Sequence, residues 1–296
     1  MMPVDPILRE LVLALPARLQ EHVPGTKAYA ELRQAARAEV ERLFRAETEA
    51  THPFEPFGSI IFPYTQMGAI DSLDLFGLDE LIIFSFYWVN RRRYRRVLDG
   101  GANIGLHSLV MARCGFQVIG YEPDPHHFQL LKRNLAANDC SAVEPRNAAL
   151  SSTDGTLEFV RVVGNTTGSH LAGSKANPYG ELQRFPVPVH ATGPLLQWAD
   201  LAKLDVEGHE KEIIVNTSRE HWASTDAMME VQSAENAGVL YDHFSKIGVS
   251  MYPQKIAWRK AHSIGDLPTS HREGSLFVTC RSEMPWARDE QDGGRP

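Results

Sequence analysis

The chain has 296 residues, 43% of them hydrophobic, which is enough to bury a sizeable core in one or two domains. Its net charge of -7 disfavours nucleic acid as a partner by long-range field. Three cysteines, Cys114, Cys140 and Cys280, show no CxxC spacing, so neither a zinc motif nor a disulfide framework is expected, and a reducing cytoplasm is the simplest setting.

No apolar run reaches 18 residues and the N-terminus lacks the layout of a signal peptide, so a membrane span is not expected. Residues 5–22 read as a short amphipathic helix that Pro16 interrupts. Residues 26–49 read as a helix capped by Thr26, with Leu32, Ala36, Val40 and Leu43 on one stripe. The stretch THPFEPFGSIIFPYTQ carries a short β-like run at Ile60 to Phe62, and Tyr64, Gln66 and Asp71 lie where an N-terminal segment could cover a ligand. The apolar run at 76–90 predicts a buried helix, with a strand as runner-up, and could line a homo-oligomer interface. RRRYRR, residues 91–96, could meet an anionic acceptor, although more often such a run is a solvated face or a helix C-terminus complementing the dipole.

From residue 97 strands and helices alternate, which predicts a parallel α/β sheet. VLDGG, FQVIGYEPD, AVEPRNAALSS, LAKLDVEG and DAMMEVQ read as strands ending in turns, and the segments between them mostly as helices. Asp124 is a fitting N-cap for the helix that Pro125 opens, on which His126 and His127 read as surface residues. Residues 164–181 have the composition of a loop or lid. The last two strands lack a helix between them, which predicts an antiparallel edge strand.

The glycine turn of VLDGGANIG admits two kinds of ligand. In the dinucleotide frame G-x-G-x-x-G, Ala102 replaces the central glycine before Gly105. Asp99 disfavours a pyrophosphate and suits a cationic amine such as the one on S-adenosylmethionine, and Gly101 lets the backbone pass close to a ligand. Glu122, ending the second strand, suits both ribose hydroxyls of an adenosine and does not separate the two cofactors.

VLDGGANIGLHSLVMA, VIGYEPDPHHFQLLKRNLAAN, NAALSSTDGTLEF and LAKLDVEGHEKEII, in that order, resemble the FkbM family of S-adenosylmethionine-dependent methyltransferases over roughly residues 97–215. The resemblance implies a Rossmann-like, seven-stranded class I methyltransferase sheet with a mainly helical N-terminal extension. The expected divisions are residues 1–90 as a cap, 91–282 as the catalytic domain and 283–296 as a disordered tail. It also implies O-methylation of a hydroxyl on a sugar or natural product, a small-molecule acceptor. Asp99, Gly101, Ala102, Asn103, Gly105, Glu122 and Pro123, with Asn147, Ala148 and Ala149 near adenine, match the family's cofactor positions. Asp205 and Glu207 match its DVEG motif, while Gln232 stands where a more His-like side chain is expected.

Ligands in open α/β sheets sit beyond the carboxyl ends of the strands, where Asp205, Glu207, His209 and Glu230 fall. Asp205 or His209 is the expected general base, with Glu207 and Glu230 shaping the acceptor site. No metal is expected, although Asp205, Glu207 and Glu230 offer the oxygens that suit Mg²⁺. The competing functions are an NAD-dependent oxidoreductase and a non-catalytic adenosine-binding module.

Overall fold

The computed structural model describes residues 6–45, 50–165, 168–175 and 180–286. The short apolar runs read from the sequence build a seven-stranded sheet. Its strands are β3 (Arg96–Gly100), β4 (Gln117–Tyr121), β5 (Val143–Arg146), β10 (Leu201–Leu204), β11 (Asp226–Met229), β12 (Ser250–Pro253) and β13 (Leu276–Thr279). Their spatial order is β12-β13-β11-β10-β3-β4-β5. β10 and β4 flank β3 in parallel, and β5 and β11 extend the parallel set on either side. β13 runs antiparallel to both β11 and β12. The expected antiparallel strand therefore exists, but it lies one place inside the edge, because β12 pairs along its outer side. This order, with the crossover reversing at β3, is that of a class I methyltransferase sheet.

Period-two alternation divides the sheet between two cores. Val97, Val118, Leu201, Met228 and Phe277 face one core, and Leu98, Ile119, Ala202, Ala227 and Val278 face the other. The first face is covered by α1 (Pro6–Ala14), α2 (Lys27–Phe44), α3 (Leu78–Val89), α4 (Leu106–Arg113) and α5 (Pro125–Ala137). The second is covered by α6 (Thr192–Trp198), α7 (Glu210–Ile214) and α8 (Ala234–Ile247). Local signals set the helix ends. Thr26 accepts from Tyr29 N, Asp124 accepts from His126 N with Pro125 at the first position, and Ser233 accepts from Asn236 N. α1 gives way to a 3₁₀ turn over Leu15–Ala17, as Pro16 requires.

The run at 76–90 is a helix, and its apolar side chains are consumed inside the chain. Leu81, Ile82, Phe84, Phe86 and Tyr87 are fully buried in the same core as α1, α2 and α4, so they do not form a face for a second copy. β1 (Thr51–Pro53) and β2 (Ser59–Ile61) form a small hairpin beside it. A four-stranded sheet, ordered β6-β9-β7-β8, stands between β5 and β10 in sequence. It comprises β6 (Ala149–Ser151), β7 (Gly155–Val162), β8 (His170–Leu171) and β9 (Leu182–Ala191). The 164–181 segment is thus partly strand, with 166–167 and 176–179 outside the described residues. The tail differs from expectation too. Met284 and Trp286 are buried, with Trp286 against His22 and Phe86, while 287–296 lie outside the described residues.

RRRYRR sits at the end of α3 and the start of β3, away from the strands' carboxyl ends. Arg91 donates to Trp88 O and covers its ring, the Arg95 and Arg96 amides donate to Asp200, and Tyr94 donates to Asp226. The run closes the helix and anchors the strand, as the plainer of its two expectations has it.

Candidate functional site

Two cavities open at the carboxyl ends of the central strands. The first, about 620 Å³, is lined by Gly101, Asn103, Glu122, Pro123, Ala149, Leu150, Asp205 and Glu207 and by Phe159, Ser169, His170 and Leu171 of the smaller sheet. The second, about 660 Å³, is lined by Asp79, Glu80 and Ile83 of α3, Lys203 to Asp205, Met228 to Glu230, and His271, Gly274 and Ser275. Asp205 is on the wall of both.

The glycine loop is bound to the sheet on both sides. The Gly101 and Ala102 amides donate to Tyr121 O, and the Asp205 amide donates to Gly100 O. A Cβ on Gly101 would stand 1.8 Å from Asp205 O, at a φ of +79°. Glycine is needed there because the β10 turn, rather than a ligand, approaches the backbone. Beyond it, the Asn103 amide donates to Glu122 Oε2 at 2.8 Å and the Asp124 amide to Oε1 at 2.8 Å. Glu122 is buried, and burial lifts its pKa to about 8 against the pull of these two donors. Asn147 donates to the carbonyls of Glu122 and Pro123, which holds the turn beneath Ala149 from outside the cavity. Ala148 and Gly105 likewise do not line it.

Asp99 lines neither cavity. It lies in register with Lys203, so both side chains leave the sheet on the α4 side. There Ser108 Oγ donates to Asp99 Oδ2 at 2.6 Å, and Lys203 Nζ is 3.8 Å from Oδ1. Lys203 also donates to Gly101 O at 3.0 Å and to Asp205 Oδ2 at 3.3 Å. This buried lysine, absent from the expected set, ties the glycine loop to the DVEG turn. Burial pulls its pKa down, and the carboxylates of Asp205 and Asp99 outweigh that, leaving it above the ordinary lysine value. In return, Lys203 outweighs the burial of Asp205 and holds that carboxyl below its usual range.

Asp205, Glu207 and Glu230 come together as expected, with ligand-type oxygens within 4.8 Å of one another. Lys175 Nζ donates to Glu207 Oε2 at 2.6 Å, and Gln232 Nε2 donates to Glu207 at 2.9 Å and to Glu230 at 2.5 Å. Burial and then the neighbouring Asp205 raise the pKa of Glu207 and, more strongly, that of Glu230. Gln232, the departure from the family pattern, supplies the amide that bridges the two glutamates.

His209 is not part of this group. Its Nδ1 meets Ser174 Oγ at 3.0 Å and its Nε2 meets Ser151 Oγ at 3.2 Å, in a separate hollow with Asp154 and Glu212. Burial lowers its pKa to about 4. The neighbouring Glu210 accepts from the Val206 and Gly208 amides and from Asn236, which closes the DVEG turn.

His127, expected at the surface, is buried and lines the first cavity, with its pKa lowered by burial to about 4, whereas His126 is exposed. The cause is Asp124, whose cap on the first turn and ion pair with Arg161 of β7 bring the smaller sheet over that turn. Tyr64, Gln66 and Asp71 bond to one another in a turn and line neither cavity. Gly68 in that turn packs against Gly164 O, so the segment touches the 163–165 corner and not the site. Among the described residues, no helix is long and apolar enough to cross a membrane.

The methyltransferase FkbM domain profile matches residues 99–245. "Methyltransferase sdnD" of Sordaria araneosa is 33% identical over 159 residues, covering 43% of this chain and 61% of that protein. "Methyltransferase 1" of Beauveria bassiana is 27% identical over 154 residues, covering 44% and 61%. The chain thus spans about three fifths of the length of these curated relatives. A crystal structure of "Methyltransferase FkbM" from Methylobacillus flagellatus aligns with a TM-score of 0.38 at 16% identity, over 62% of this chain and 43% of that one. The ordered motifs and the domain match identify residues 99–245 of this chain as an FkbM methyltransferase domain.

Proposed function

We propose that the protein transfers a methyl group from S-adenosylmethionine to a hydroxyl of a small acceptor, a sugar or natural product. The observation that carries this reading is the placement of Asp205 on the wall shared by the two cavities. One cavity has the groups an adenosine needs, and the other is an independent space lined by side chains from four elements.

The first cavity fits the nucleoside. Glu122 offers carboxyl oxygens at the end of β4, where a ribose diol is received in adenosine-binding sheets. Asn103 Oδ1, on the same wall, is buried without a hydrogen-bond partner among the described residues, a cost that a ligand donor would remove. When bound, the cofactor supplies the activated methyl group, and the chain supplies orientation.

Asp205 then accepts the proton of the acceptor hydroxyl. Lys203 keeps it ionised and aimed, and in-line placement of the reacting groups does the rest of the work. Glu230 and Glu207, with their raised pKa values, receive acceptor hydroxyls by hydrogen bonding, and Gln232 sets their spacing. His209 is a structural pin between two serines and not the base. The three cysteines are free thiols, which supports a reducing, cytoplasmic setting.

Calorimetric titration tests the cofactor, and labelled-methyl transfer to a panel of hydroxylated sugars and polyketides tests the reaction. S-adenosylhomocysteine is expected to bind and NAD not to bind. Binding of NAD alone would replace this reading with an oxidoreductase. Binding of S-adenosylhomocysteine without transfer to any acceptor would favour a non-catalytic module.

A further inference from the structure

Residues 168–175 take no part in the chemistry proposed above, yet they wall the first cavity. Ser169, His170 and Leu171 line it, and all three are buried. The next two residues, Ala172 and Gly173, are exposed. The chain here is therefore a single layer between that cavity and solvent. Its hold on its own sheet is slight. β8 is a two-residue strand at the edge of the smaller sheet, paired with β7. The Ala172 amide on Glu158 O and the Val162 amide on Ser169 Oγ add to that pairing.

The far end of the segment is fastened to the DVEG turn. Ser174 Oγ meets His209 Nδ1 at 3.0 Å, and Ser174 O packs on Gly208, where a Cβ would stand 2.8 Å away. Lys175 Nζ donates to Glu207 Oε2 at 2.6 Å and reaches back to Gly168 O at 3.4 Å. Among the described residues this is the segment's one ion pair. Glu207, itself on the wall of the first cavity, meets Lys175 from a left-handed backbone at φ +56°, a conformation unfavourable for a non-glycine residue. Of these fastenings the ion pair is the easiest to undo. Its two side chains are 29% and 28% exposed, so water can take over each partner, whereas His209 is buried between Ser174 and Ser151.

We infer, on the methyltransferase reading proposed above, that residues 168–175 are a strap over the nucleoside cavity that lifts to pass the cofactor and its product, and that the Lys175–Glu207 pair is its clasp. Gln232 ties Glu207 to Glu230, so the acid group is complete only while the strap is down.

Surface plasmon resonance on the immobilised 296-residue chain, with S-adenosylhomocysteine as the probe, separates a clasp from a supporting wall. A clasp holds the strap down in free and bound protein alike, so loosening it raises kon and koff together. A contact that only supports the bound nucleoside changes koff and Kd and leaves kon alone. Lys175→Met is expected to raise both rate constants by roughly 3- to 10-fold, the worth of a partly exposed charged hydrogen bond, with Kd within about twofold of wild type. Lys175→Arg keeps the charge and is expected to bring both rates back toward wild type. Unchanged rates in Lys175→Met, a rise in koff matched by the loss in Kd, or Lys175→Arg behaving as Lys175→Met overturns the strap. Should Lys175→Met fail to fold, the wild-type protein serves. S-adenosylhomocysteine carries no net charge at neutral pH, so raising NaCl from about 0.05 M to about 0.5 M is expected to speed both rates together by screening the clasp. Rates that salt leaves alone overturn it. Failure of the wild-type protein to bind S-adenosylhomocysteine at all overturns the methyltransferase reading itself, and the strap with it.

Discussion

Asp205 and His209 are four residues apart and both fall where a base is expected, yet they face different spaces. Asp205 stands between the cavities beside Lys203, and His209 lies between Ser151 and Ser174. Asp205→Asn is expected to lower turnover by about 100-fold or more, in the range of a lost general base, with S-adenosylhomocysteine affinity within a few fold of wild type. His209→Asn is expected to lower Tm and spare turnover; a collapse of turnover at unchanged Tm would return the role of base to His209. Glu210 gives a separate residue-scale expectation. Burial raises its pKa from 4.5 to about 8, so the folded state holds a proton that the unfolded chain releases. The stability this contributes is full below pH 4.5 and is lost as pH rises through about 8. The Tm of Glu210→Gln should accordingly fall less between pH 5 and 8 than that of the wild type, by about one proton's share of the slope. Parallel Tm curves for the two proteins would contradict the burial account. VLDG, YEPD and LDVEG were legible as site elements because each is local in sequence. Lys203 was not, because its role depends on the strand register that sets it beside Asp99 and the glycine loop.

At the scale of elements, the site is two turns locked together. The glycine loop after β3 and the DVEG turn after β10 touch through Gly101 and the Asp205 carbonyl, and Lys203 bonds to both. Gly101→Ala adds a Cβ where 1.8 Å is available, at positive φ. It is expected to cost at least ~2 kcal/mol and to abolish nucleoside binding, as measured by denaturant unfolding and calorimetry. A stable, binding-competent Gly101→Ala protein would show that the two turns are not in contact. α3 is the other defining element. Its apolar run was read as a helix, and the structure adds why it is apolar on every side: α1, α2, α4 and the sheet enclose it. Phe84 is fully buried against Phe54, Phe57 and His107. Phe84→Ala is expected to destabilise by about 3–5 kcal/mol in urea. A loss of less than about 1 kcal/mol would contradict the packing that encloses it.

Across the whole molecule, the described part of residues 6–90 shares its core with the sheet. Leu8, Val12, Leu32, Val40, Phe76 and Tyr87 share one buried cluster with Val97, Leu109, Val118 and Leu201. Asp79 is bonded to Tyr29 on α2 and to Gln254 after β12, so the N-terminal helices also hold the floor of the second cavity. A chain lacking residues 1–90 is therefore expected to lose cooperative unfolding and near-ultraviolet circular dichroism, not to survive as an isolated domain. A soluble, cooperatively folding fragment would overturn that view. Sequence by itself determined the alternation of strands and helices, the glycine and DVEG turns, and the membership of the acid cluster. Those features are encoded in periodicity and short spacings, which operate within a few residues. Only the tertiary structure decided that Asp99 is buried beside Lys203 and Ser108, that His209 is turned away, and that Asp205 stands on the wall of both cavities. A side chain's partner follows from strand register and helix packing, and these bring together residues that no local pattern relates.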